Sequence, residues 1–303
     1  MKRRPASPDG PDGGLVVDKP SGITSHDIVA MARRALKQSR IGHTGTLDPL
    51  ATGVLPLLVG RATRLAQFLA ADIKSYDATV RFGSATTTYD TEGTPLGPVT
   101  DAPVDPDALA GALERFRGEI LQVPPAVSAK RVGGRRAYDL ARADVAVTLE
   151  PVPVTVHSLR VHSCDGPEAR LEVTCSAGFY VRSLAHDLGQ ALGTGAHLVS
   201  LRRTRSGHFT LDGAVGAEVL ATDPQAVRGA LTPMADLLAD LPPVVVSQEG
   251  VVRLRHGREL ASTQVLAPVP LPGSRARLLD EAGRLLAVAE IRGVFLHPVV
   301  VLM

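Results

Sequence analysis

The run from Gly42 to Gly53, GHTGTLDPLATG, sets one carboxylate, Asp48, between a Gly/Thr turn and a proline. A side chain fixed in this way has little conformational freedom left to lose, which suits a nucleophile or a general base. The same residue could instead close an Asx turn by bonding its own backbone. A phosphate loop of the GxxxxGK[ST] kind needs a lysine that this run lacks, so that chemistry is excluded. The second chemical feature is arginine: of 33 basic residues only 5 are lysine. They gather as Lys130, Arg131, Arg135 and Arg136, as Arg202, Arg203 and Arg205, and as Arg253, Arg255 and Arg258 beside His256. Guanidinium groups make forked bonds to phosphates, so the clusters fit a nucleic-acid partner, although each alone is also what a solvated basic face looks like. Aromatic residues are 3% of the chain with no tryptophan, which leaves any base stacking to one or two side chains.

The elements that must position these groups follow from periodicity. GLVVDKP from Gly14 reads as a strand ending in a turn, and Thr24 with Asp27 makes a capping-box pattern ahead of a helix whose face carries Ile28, Val29, Ala32 and Leu36. The segment 41–63 holds four glycines and two prolines and is expected to be a long, partly buried loop. Strict alternation from Tyr76 to Phe82 predicts a half-buried strand. Asp105 and Pro106 open a helix carrying Leu109, Leu113 and Phe116, and a Pro- and Gly-broken basic segment follows, with a turn or two of helix near Tyr138. Strands are expected at 154–161 and 171–175, then a helix marked by Leu184, Leu188 and Leu192. Past Leu241 the spacing shifts to short strands, with a hairpin over 276–291 that turns at 280–283. Strand pairs separated by single helices predict an α+β fold with a mixed, largely antiparallel central sheet and a small C-terminal β module.

Composition narrows the class. With 303 residues, 44% hydrophobic and a net charge of +2, the chain has the makeup of a folded globular protein with room for one catalytic domain and an appendage. The longest uncharged apolar stretch, 53–60, is far below the roughly 20 residues a membrane helix needs, and no signal-peptide core is visible. Cys164 and Cys175 form no CxxC pattern, which argues against a disulfide scaffold or a cysteine zinc site and for a reducing, cytoplasmic setting.

Taken together, VVDKPSGITSHD, GHTGTLDPLATGVLPLLVGRATR, KSYDATVRFG, QVPPAVSAKRVGGRRAYDLAR, CSAGFYVRSLAHDLG and GAHLVSLRRTRSG closely resemble, in order and separation, the TruB-type tRNA pseudouridine synthases. The resemblance spans about residues 14–211. It implies a cofactor-independent, metal-free isomerase of the pseudouridine synthase fold that converts the T-loop uridine of tRNA, position 55, after flipping the base out of its stack. By that resemblance Asp48 is the catalytic carboxylate, Arg182 its ion-pair partner, and Tyr76 the ring that stacks on the uracil. His43 fills the space the base vacates, Tyr180 and Leu201 line the pocket, and Lys19 supports the catalytic loop. An insertion over 124–142 clasps the T-arm, which makes Lys130, Arg131, Arg135 and Arg136 candidate phosphate ligands; Arg202 and Arg203 would form the opposite wall. The organisation implied is a disordered lead over 1–13, a catalytic domain over 14–240 and, from a weaker resemblance, a PUA-like domain over 241–303 that meets the acceptor stem. A cytoplasmic monomer with tRNA as its partner is expected. The competing class, an RNA-binding protein without chemistry, would share the basic clusters but has no use for Asp48 opposite Arg182.

Overall fold

The computed structural model describes residues 10–69, 73–127, 131–132, 135–136, 149–266 and 268–303, with the backbone alone over 131–132 and 135–136. In chain order the strands of the larger body are β1 (Gly13–Lys19), β2 (Ile41–His43), β3 (Thr52–Val59), β4 (Lys74–Phe82), β5 (Gly118–Gln122), β6 (Arg131–Val132), β7 (Arg135–Arg136), β8 (Val152–Asp165), β9 (Glu168–Cys175), β10 (Ala196–Ser206) and β11 (Val215–Gly216). All but the β6–β7 hairpin join one sheet in the order β11-β1-β3-β10-β4-β9-β8-β5, with β2 added on β3. Its pairs are antiparallel apart from β1/β11 and β3/β10, so the sheet is mixed and largely antiparallel as expected.

The helices form where the sequence supplies starts. Thr24 caps helix Ser25–Leu36 through a complete capping box with Asp27, and Ile28, Val29, Ala32 and Leu36 are buried against the sheet. Asp105 caps helix Pro106–Leu113 by accepting the Asp107 amide at 3.0 Å, and helix Val181–Ala191 buries Leu184 and Leu188. These helices cover the face of the sheet that carries Tyr76, Ala78, Val80, Phe82, Leu171 and Val173.

One expectation fails in an instructive way. The segment 41–63 is not a single irregular loop: β2, β3 and a short 3-10 helix, Gly60–Leu65, occupy most of it, and only 44–51 stays irregular. β3 is buried on both faces, Leu55, Leu57 and Val59 in the main core and Val54 and Leu58 in a second cluster, so its sequence is a continuous apolar run rather than an alternation. Pro56, which cannot donate a ladder bond, falls between Thr52–Gly53, where β10 pairs, and Leu57–Val59, where β2 pairs. The central strand β10 likewise shows no strand pattern in the sequence. Its pairing with β4 shifts register twice, between Leu198 and Ser200 and between Arg203 and Arg205, which breaks the period-2 pattern.

A five-stranded sheet forms the C-terminal part, β12 (Pro243–Val245), β13 (Leu260–Ala261), β14 (Arg275–Leu279), β15 (Leu285–Arg292) and β16 (Phe295–Val301), ordered β12-β14-β15-β16-β13. The hairpin expected over 276–291 is β14–β15, and helix Gln248–Arg255 packs with this sheet. At the other end β1 starts at Gly13, one residue earlier than expected, and Asp12 pairs with Arg61 at 2.6 Å. Residues 1–9 and the turn expected near Tyr138 lie outside the described residues.

Candidate active site

Residues 44–51 are held from below at almost every peptide. Lys19, at the end of β1 and fully buried, donates to the carbonyls of Pro20, Pro49 and Ala51 at 2.9, 3.2 and 2.6 Å. Ser25, first residue of its helix, takes the Leu47 amide and returns its hydroxyl to the Leu47 carbonyl, at 2.8 and 2.9 Å. Leu47 and Ala51 anchor the loop in the core. Burial pulls the Lys19 pKa down to about 8, with the nearby Asp48 charge opposing the drop.

Above this support Asp48 faces Arg182. The Arg182 Nε lies 2.9 Å from Asp48 Oδ2, with the N–H not aimed at the oxygen, so the contact is an ion pair rather than a directed hydrogen bond. Asp48 therefore turns its carboxylate to the arginine rather than capping its own loop. The arginine side chain is 5% exposed and the aspartate 36%, so the charge that must meet a ligand is the accessible one. Arg182 spends its other donors on the carbonyls of Thr88 and Val127 at 3.1 and 2.8 Å, and Asp90, itself buried, stands 3.5 Å from Nη1. Asp90 is a site residue that sequence reasoning missed: nothing in its local pattern signals a partner so far along the chain.

The pair opens onto a cavity of about 270 Å³ whose walls include Asp48, Lys74, Tyr76, Tyr180, Leu201 and Arg203. That is the lower end of the range for small-ligand sites, suited to one base rather than to a stretch of RNA. Tyr76 comes from β4, Leu201 and Arg203 from β10, and Tyr180 immediately precedes helix Val181–Ala191, its amide and carbonyl locked by the Gln122 side chain at 2.8 and 3.0 Å. Burial raises the Tyr76 pKa, which the neighbouring Arg203 charge partly offsets, so the phenol keeps its proton at neutral pH.

Of the two arginines assigned to the opposite groove wall, one faces inward and one outward. Arg203 is 1% exposed; its guanidinium donates to the carbonyls of Val54, Gly45 and Thr46 at 2.7, 3.0 and 3.5 Å, so it braces the Asp48 loop and cannot reach a phosphate. Strand pairing explains this: Arg203 lies opposite Gly53, where β10 meets β3, and points inward. Arg202, one residue earlier, points outward and is paired with Asp18 by bonds of 3.1 and 2.8 Å. His43 ends β2 beside the cavity without lining it, and Lys19 lies beneath. Lys130 lies outside the described residues, whereas Arg131, Arg135 and Arg136 fall on the β6–β7 hairpin. No group of three or more His, Cys, Asp or Glu able to share a metal occurs among the described residues, and no helix among them is long and apolar enough to cross a membrane.

The model of the TruB family pseudouridylate synthase N-terminal domain matches residues 33–181, and that of the tRNA pseudouridylate synthase B C-terminal domain matches residues 182–239. The chain is 46% identical over 295 residues to tRNA pseudouridine synthase B of Solibacter usitatus, covering 96% of this chain and all of that protein. This chain belongs to the TruB family of pseudouridine synthases. It is thus an isomerase, and the protein of the same name from Burkholderia mallei is 44% identical over 95% of both chains. Among solved structures, a chain of an H/ACA RNP bound to a substrate RNA containing 2′-deoxyuridine superposes with a TM-score of 0.70 at 27% identity, over 96% of this chain and 85% of that one. A chain of a Cbf5-Nop10-Gar1 complex does so with a TM-score of 0.70 at 27% identity, over all of this chain and 92% of that one. The two family models meet at residues 181 and 182, inside a helix, so that border is not a structural boundary.

Proposed function

We propose that this synthase isomerises the uridine at position 55 in the T-loop of tRNA, using Asp48 as its catalytic carboxylate. The observation that carries the reading is the Asp48–Arg182 ion pair at the mouth of a base-sized cavity also walled by Tyr76. The reaction breaks the bond from ribose C1′ to uracil N1, turns the base and forms a bond from C1′ to C5; C5 then gives up its proton and N1 takes one up from solvent, so the product is an isomer and no redox partner is consumed. An ionised carboxylate serves as nucleophile or as base in that scheme. Arg182 holds Asp48 in place by charge, its own position fixed by the Thr88 and Val127 carbonyls and the Asp90 carboxylate. Tyr76 supplies the face on which an extruded uracil stacks, with its hydroxyl near the C5 proton, and Tyr180 and Leu201 close the sides. His43 takes the space the base leaves.

Lys74, Arg182 and Arg203 line the cavity against the one carboxylate of Asp48, a balance that favours an anionic ligand there. Phosphates of the T-arm would be met by Lys130, Arg131, Arg135 and Arg136 in the 124–142 insertion, by Arg202 less strongly because Asp18 already neutralises it, and by Arg253, Arg255, His256 and Arg258 of the C-terminal module for the acceptor stem. The relatives' own names include tRNA, which supports this choice of substrate. The test is incubation with a T-stem-loop transcript followed by carbodiimide-blocked primer extension. A stop that reports modification at position 55, absent from a transcript with cytidine there, is expected; a stop that reports another position, or none, would refute the assignment.

A further inference from the structure

Helix Val181–Ala191 presents two side chains on one face, Arg182 and, one turn later, His186. Across from them runs the Thr88-Tyr89-Asp90 stretch. The Thr88 carbonyl and the Asp90 carboxylate both meet Arg182, at 3.1 and 3.5 Å, and between them the Tyr89 ring lies flat on the His186 ring, centroids 3.9 Å apart and planes 14° from parallel. Tyr89 has φ +66, a left-handed conformation that a bulky side chain rarely adopts. That turn lets the carbonyl of the residue before it and the carboxylate of the residue after it address one guanidinium. Lys37, the one other non-glycine residue with positive φ among the described residues, is a helix C-cap; Tyr89 caps no helix. A strained residue of this kind persists only where its surroundings hold it. Here the ring stack holds one side and the Leu198 amide, donating to the Tyr89 carbonyl at 2.9 Å, the other.

We infer that Tyr89 and His186 are positioning residues: their stack clamps the 88–90 turn so that Thr88 and Asp90 keep the Arg182 guanidinium where Asp48 meets it. Neither ring lines the cavity, so neither touches the reacting base. Burial lowers the His186 pKa, and the neutral imidazole packs on the phenol without the cost of a buried charge. Without the stack the turn relaxes toward negative φ, Thr88 and Asp90 rotate together, and the buried arginine loses two of its acceptors at once.

The clamp rests on the roles given above to Asp48 and Arg182, so its test has one arm that needs turnover and one that does not. In single-turnover pseudouridine formation, Tyr89→Phe keeps the ring and is expected to stay within about threefold of wild type. Tyr89→Gly, free to adopt positive φ but ringless, and His186→Ala are each expected to slow the step about tenfold or more with RNA affinity within about twofold, and the double variant to be no slower than the slower single. Losses that multiply in the double variant, singles within about twofold of wild type, or equal losses of rate and affinity would each overturn the clamp. Should Tyr89→Gly melt well below wild type, Tyr89→Asn, which tolerates the left-handed turn, replaces it. In the free protein, hydrogen exchange over residues 84–96 is expected to quicken in both ring-deleted variants and not in Asp48→Asn. If the wild type makes no pseudouridine, the functional reading fails and the exchange arm alone decides; unchanged exchange in both ring-deleted variants sinks the clamp.

Discussion

At the scale of single residues, Asp48 and Arg182 divide their tasks by exposure: one is open to a ligand, the other is locked. Asp48→Asn keeps the shape and removes the charge, so the loop should fold as before on Lys19 and Ser25. Turnover is expected to drop by well over 10²–10⁴-fold, beyond what loss of ordinary general acid–base help explains, because a neutral amide is neither the nucleophile nor the base. Affinity for the stem-loop should stay within about tenfold, since removing an anion beside a polyanion does not weaken it. A single-turnover assay with filter binding on one preparation checks both, and residual activity after mass spectrometry has excluded deamidation would move the role elsewhere. The fixed setting of Asp48 is legible in the sequence because it is written in neighbouring glycines and prolines, while the role proposed for it comes from the resemblance. Asp90 and the inward turn of Arg203 cannot be read there, because they depend on which strands and helices meet; adjacent arginines in a chain give no hint that one faces Asp18 and the other the Asp48 loop.

At the scale of elements, the site is the place where β3, β10 and helix Val181–Ala191 converge, and two positions show how tightly. Gly53 has φ +96, and a Cβ there would stand 2.2 Å from the Arg203 carbonyl oxygen, a backbone atom that cannot swing aside. Gly53→Ala therefore combines left-handed strain with overpacking and should cost on the order of 3 kcal/mol or more, read by denaturant unfolding, with the Asp48 loop displaced. In the helix, burial pushes the Asp187 carboxyl up to about 6. Its pKa is thus higher folded than unfolded: the folded state binds the extra proton between about pH 4 and 6, stability falls as pH rises through that window, and the cost of the buried charge is fully present above it. Asp187→Asn should leave stability unchanged near pH 4 and raise it by about 1 kcal/mol at pH 7, the shift being discounted for partial exposure. Melting at both pH values decides it; equal gains at both would show that the charge is not the cause. Periodicity located β4, β9 and these helices because each buries one face. It failed for β3, which buries two, and for β10, whose register shifts break the alternation.

At the scale of the whole molecule, the change in element spacing near Leu241 marks where the second sheet begins, yet packing crosses that line. Val54 and Leu58 of β3, Leu65 and Phe209 form one buried cluster with Leu285, Val288, Val300 and Leu302 of the C-terminal sheet. Polar contacts cross as well: Arg61 donates to the Leu302 carbonyl at 2.8 Å, Arg64 to that of Val301, and Arg277 to that of Ala235 at 2.7 Å. A chain ending at residue 240 would therefore expose several large apolar side chains of the catalytic body, each worth about 1.5–3 kcal/mol when buried. Summed, that loss is comparable with the 5–15 kcal/mol that typically holds a folded protein together. The truncated chain is expected to be insoluble, or to melt far below the full chain while binding a hydrophobic dye. If it folded with an unchanged midpoint, the C-terminal sheet would be an appendage serving RNA alone; a lowered midpoint makes it part of the wall behind β3, so that the strand leading out of the Asp48 loop is held from both faces.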